Sequence, residues 1–100
     1  ENNSIEFIPF LETLYISKQK NETLIKSSTQ DISTTFPFLW IWAQCQNHSN
    51  FFKISPSLIL NSLYIKYITP TKDQHYTCHL RNNETLVLAP KEFRELKLTF

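Results

Sequence analysis

The stretch from Leu63 to Cys78, LYIKYITPTKDQHYTC, constrains the fold more than any other part of the chain. Leu63 and Ile65 alternate, so on a strand they share one face. Ile68 adds a further apolar position. Pro70 and the polar residues around it then break the strand and turn the chain. Tyr76 and Cys78 are two apart and share one face of the next strand. A tyrosine buried there needs a partner for its hydroxyl. The spacing therefore predicts two strands joined by a polar corner, with the Tyr76 hydroxyl bonded to backbone between Thr69 and Gln74.

Composition supports sheet structure. The chain of 100 residues is long enough for one domain with a small core. Tyr, Phe, Ile, Thr and Leu are abundant, and these suit a pleated, half-buried surface. Alanine is confined to Ala43 and Ala89, and glycine is absent. Tight turns must therefore use Asn or Asp, with Asn50, Asn61, Asn82 and Asn83 as candidates. A formal net charge of +1 gives no electrostatic case for nucleic acid.

Leu63, Ile65, Ile68, Tyr76 and Cys78 fall at the offsets of L-x-I-x-x-[LV]-x-x-x-D-x-G-x-Y-x-C. In this the stretch resembles the E-to-F corner of the immunoglobulin superfamily. Lys72 stands where Asp is usual, Asp73 comes one place late, and Gln74 stands where Gly is usual. The resemblance implies an all-β fold: an antiparallel immunoglobulin-like β-sandwich, with residues 1–100 forming a single immunoglobulin-like ectodomain. Ile5, Phe7, Ile8 and Phe10 then read as an edge strand around Pro9. Lys18 to Glu22 is a polar turn before a short strand, Thr23 to Lys26. Ser27 and Ser28 occupy the place of the usual B-strand cysteine. Phe36 to Cys45 reads as the C strand; a rival register makes it the B strand through Ile41-x-Ala43-x-Cys45. Leu58 to Ile68 is the E strand and Gln74 to Leu80 the F strand. Asn82 to Glu84 turns the chain, Thr85 to Leu88 returns, and Phe93 to Phe100 forms the G strand with Leu96, Leu98 and Phe100 alternating. Leu63, Ile65 and Tyr76 are its structural corner.

In the C-strand register the resemblance implies a within-sheet disulfide between Cys45 and Cys78, of the kind found in atypical immunoglobulin domains. The alternatives are two free buried thiols, or a zinc set made of Cys45-x-x-His48 and His75-x-x-Cys78. Asn47 interrupts the first pair as a sequon, and residues three apart on a strand face opposite sides. The expectation is no metal and no cofactor. Asn2, Asn21, Asn47 and Asn83 each begin an Asn-x-Ser/Thr sequon, which marks a glycosylation site in a secreted protein. With the cysteine pair they point to a secreted or extracellular location, and any membrane anchor would lie outside this chain. No nucleophile elbow, zinc-protease motif or phosphate loop occurs, so no catalytic residue and no enzyme is expected.

Phe38, Trp40 and Trp42 form the candidate binding stripe. If Cys45 faces inward on a strand, Trp40 and Trp42 face outward, where tryptophan is a favoured anchor; a bulge near Ala43 would instead turn one of them into the core. The functional expectation is an extracellular recognition domain of a cell-surface or secreted glycoprotein, of immune-receptor, adhesion or viral immunomodulatory type. It would bind another protein (a receptor, a ligand or a neighbouring domain) and no nucleic acid. The second reading is a structural or accessory ectodomain of a larger membrane protein complex.

Overall fold

The structure is a computed structural model that describes residues 10–99. Asn2 and the edge strand expected at Ile5 to Ile8 lie outside the described residues. Within them the chain forms β1 (Thr13–Lys18), β2 (Thr23–Ser27), β3 (Asp31–Thr34), α1 (Phe38–Cys45), β4 (Phe51–Ser55), β5 (Leu58–Asn61), β6 (Ile65–Pro70), β7 (Tyr76–Leu80), β8 (Thr85–Leu88) and α2 (Pro90–Thr99). One sheet has the order β3-β2-β1-β5-β4; the other has the order β6-β7-β8. All the pairings are antiparallel.

The larger sheet is the centre of the molecule because both of its faces are apolar. On one face Ile16, Ile25, Phe51 and Ile59 pack with Phe38, Ile41 and Cys45 of α1. On the other, Leu14, Ile54 and Leu60 pack with Cys78, Leu80, Leu88 and Leu96 of the smaller sheet and α2. Leu14 and Ile16 would share a face on a regular strand. A register shift between Thr13 and Tyr15 sends them to opposite faces, so β1 contributes to both cores.

The expected E strand is two strands in two sheets. Asn61 makes the break. It is fully buried, and its Nδ2 donates to the Thr13 carbonyl at 2.7 Å. Its Oδ1 accepts from the Leu63 amide at 3.0 Å and from Asn50 Nδ2 at 2.9 Å. The side chain thus caps a 3-10 turn, Ser62–Tyr64, that lifts the chain from one sheet to the other. Leu63 lies on that turn and is exposed, while Ile65 opens β6 half-buried.

Two further strands prove to be helices. The buried residues of Phe38–Cys45 are Phe38, Ile41 and Cys45, spaced three and four apart, which is a helical stripe. Strand parity would have placed Leu39 and Ala43 inward, and both are exposed. At the other end Pro90 takes the first helical position, where its missing N–H is no loss. Glu92 reaches back to the Ala89 amide at 2.8 Å, one half of a capping box. The pair Phe93 and Leu96, three apart, then faces the core. These two helices, with a central sheet covered on both faces, overturn the immunoglobulin-like sandwich in favour of a small α/β fold with two sheets.

The hairpin β7–β8 turns through Asn83 at φ 73°, as expected for asparagine in a chain without glycine. Asp73 and Gln74 also adopt positive φ, at 62° and 64°. Gln74 lacks the short side chain that makes this region tolerable for Asn and Asp.

Candidate functional site

The residues singled out from the sequence do not converge. Cys45 lies in the core under α1 and Cys78 in the core between the sheets, and both are free thiols. The expected disulfide is absent because the central sheet separates the two clusters. Burial pushes the Cys45 thiol up to about 12 and the Cys78 thiol up to about 11, so both stay protonated near neutrality. Among the described residues no group of His, Cys, Asp and Glu is arranged to hold a metal ion. Tyr76 is half-buried, with its ring stacked on Phe93 at 3.7 Å and 14°. Phe93 of α2 covers one side of this ring, and Pro70 of the corner is its cross-strand neighbour. Of the candidate stripe, Phe38 is core, Trp42 is half-buried, and Trp40 is exposed and stacked on Phe36 at 4.9 Å. Asn21, Asn47 and Asn83 are exposed.

What the fold does gather is one end of the central sheet. The β1–β2 turn, Gln19 to Glu22, is closed by Gln19 N–H donating to the Glu22 carbonyl at 2.7 Å. The β4–β5 turn lies beside it, because Lys18 N–H donates to the Ser57 carbonyl at 2.8 Å. Within that second turn the Ser57 amide donates to Ser55 Oγ at 3.2 Å. Two open grooves flank the first turn. One, of about 190 Å³, runs between it and the segment Thr35 to Phe38; the other, of about 380 Å³, reaches Leu24 and Ser33.

Charge is distributed unevenly. Lys26 is held by Asp31 at 3.1 Å and by Glu84 at 2.9 Å. These bonds, Glu84 first, keep its ammonium above the usual lysine range. The same group ties β2 to the β7–β8 turn, and burial, with Glu84 second, raises Tyr15 beside it. Lys18 and Lys20 are exposed and have no carboxylate partner among the described residues. Sequence reasoning treated Lys18 to Glu22 only as a polar turn. The available signal was the order Lys-Gln-Lys-Asn: two cations and two amides at the tip of a hairpin.

The family model of the LytTr DNA-binding domain matches residues 3–100. The chain belongs to the LytTR family. Among solved structures it is similar to the LytTr DNA-binding domain of a protein from Bacillus cereus described as a methyl-accepting/DNA response regulator. That similarity has a TM-score of 0.77 and 16% identity, over 92% of this chain and 84% of the other. No curated protein sequence matches the chain.

LytTR membership corrects the functional expectations together. The immunoglobulin resemblance rested on one corner, whereas the LytTR match spans nearly the whole chain. An extracellular recognition domain, and the accessory ectodomain offered beside it, give way to a DNA-binding family. The exclusion of nucleic acid is overturned on the same ground. The secreted or extracellular location and the glycoprotein reading of Asn2, Asn21, Asn47 and Asn83 fall with them. Sequons are short, and a chain rich in Asn, Ser and Thr produces them without any glycan. Net charge misled because it averages a surface on which paired and unpaired cations differ in kind.

Proposed function

We propose that this LytTR domain is a non-catalytic recognition unit that binds duplex DNA through the sheet end formed by its β1–β2 and β4–β5 turns. The observation that carries the reading is the bond from Lys18 N–H to the Ser57 carbonyl. It fixes two turns side by side and presents Lys18 and Lys20 without carboxylate partners. The lysines suit phosphate, and phosphate contacts set register and orientation on a duplex. Gln19 and Asn21, which alternate with them in the turn, carry amides of the kind that pair with adenine edges in the major groove. Gln19 Nε2 also donates to Ser17 Oγ at 2.9 Å, which holds that amide in place.

Titration of a labelled mixed-sequence duplex at several salt concentrations tests the proposal. Lys18→Gln/Lys20→Gln should weaken binding on every sequence and lower the slope of log affinity against log salt by about 2, roughly 0.9 for each lost phosphate contact. Asn21→Ala should relax sequence preference with little change in slope. Affinity and slope equal to wild type in the double lysine variant would overturn the assignment.

A further inference from the structure

A second cationic surface lies on α2, away from the two turns. Arg94 and Lys97, three apart on this helix, are exposed and have no carboxylate partner among the described residues. Glu92, the acidic residue in the first turn of α2, is turned back onto the Ala89 amide. Arg94 and Lys97 border an open cleft of about 350 Å³, lined also by Gln74, Tyr76, Pro90 and Phe93. The stacked rings of Tyr76 and Phe93 join α2 to the start of β7, so the helix is presented rigidly. Gln74 is held in the left-handed region at φ 64°, an uncommon conformation for glutamine that keeps it at the rim of the cleft.

We infer that this cleft is a phosphate-binding site, and that the phosphate it takes belongs to the backbone of the bound DNA. The inference rests on the DNA-binding reading above. Its chemistry is specific: a planar guanidinium and an ammonium offer charge-assisted donors, and Gln74 adds a neutral amide. Its placement favours the DNA backbone over a free ion. The helix α2 packs on β4, and β4 runs at Ser55 into the turn that borders the proposed DNA face. One DNA backbone followed beyond that turn therefore meets α2. The molecule is 44 Å along its longest axis, enough to accompany a duplex for about one helical turn of roughly 34 Å.

The test uses the whole chain and a short mixed-sequence duplex. Arg94→Gln/Lys97→Gln should lower the salt slope by about 2. Lys66→Gln, which removes a charge at the far end of β6, should leave it unchanged. In a parallel arm, the Arg94 Nε–H resonance is followed by NMR while duplex or inorganic phosphate is added at equal phosphate concentration. The duplex should move it and the free ion should not. A shift with inorganic phosphate alone would overturn the DNA source. A wild-type slope in Arg94→Gln/Lys97→Gln, with loss in Lys18→Gln/Lys20→Gln, would overturn the cleft while the two-turn reading stands. Wild-type binding by both double variants would overturn both.

Discussion

The two faces of the central sheet are sealed in different ways. Under α1 the lid has no charged residue: Phe38, Ile41 and Cys45 point inward, and Leu39 and Trp40 remain 65% and 42% exposed on the outer side. Under α2 and the smaller sheet the lid is amphipathic, with Phe93 and Leu96 inward and Lys91, Arg94 and Lys97 exposed. Each core also encloses one free cysteine. An apolar lid and an amphipathic lid can bury their faces equally well; they differ in what they leave outside. The outer side of α1 offers apolar area, and the outer side of α2 offers charge.

The sharpest way to break this comparison is to empty each core in turn. Ile41→Ala and Leu96→Ala should each destabilise by about 2–5 kcal/mol, the range for deleting a buried aliphatic side chain. Because the central sheet separates the sites, the double variant should be additive to within about 0.5 kcal/mol in urea denaturation. A strong departure from additivity would mean that the two cores behave as one.

These positions also show what was legible in the sequence. The hairpin pieces were: the Lys18 to Glu22 turn, the strand that follows it from Thr23, the Asn82 to Glu84 turn and the return strand Thr85–Leu88 all appear in the structure. Local turn chemistry and short alternation suffice for such elements. The helices were not, for two different reasons. Phe38 to Cys45 is apolar on nearly every side, so a period of two and a period of 3.6 fit it equally well. In α2 the alternation of Leu96, Leu98 and Phe100 outweighed the capping signal of Ala89-Pro-Lys-Glu92. The candidate DNA face was illegible for another reason: Lys18 meets Ser57 only after β1 has paired with β5.

The thiols sharpen the comparison at the next level. Folded chain should resist alkylation at Cys45 and Cys78 alike, and unfolded chain should react at both; peptide mapping without reductant should find no link between them. Both thiols are raised in the folded state above their ordinary value near 9, to about 12 and about 11. An acid group raised by folding binds its proton longer in the native chain. Its contribution is complete below the unfolded value and lost as pH rises through the folded one. Stability should therefore fall between about pH 9 and pH 12, and a cysteine-to-alanine variant of either core should flatten that fall.

Smaller effects separate the lids themselves. Glu92→Ala should cost about 1 kcal/mol by leaving the Ala89 amide without its partner. Pro37, the N-cap of α1, offers no side-chain cap, and the first bonds run from the Trp40 and Ile41 amides to the Pro37 carbonyl. Smallest of all, Leu39→Ala should change stability by less than about 0.5 kcal/mol, since the side chain faces out. A loss as large as that of Ile41→Ala would restore strand parity to this segment.

The pairing of β1 with β5 has a kinetic consequence. Among the described residues every other ladder joins strands that follow one another along the chain: β1 to β2 to β3, β4 to β5, and β6 to β7 to β8. These are local hairpins, and closing each one orders only a short loop. Joining Ile16 to Ile59 must first close a loop containing β2, β3, α1 and β4. Loop closure is an entropic barrier met before its contacts can repay it. Topology thus makes the seam between β1 and β5 the slowest ladder to form, the step that joins the β1–β2–β3 meander to the β4–β5 hairpin in one sheet. The same seam sets Lys18 beside Ser57, so the proposed DNA face is completed only when that late step is over.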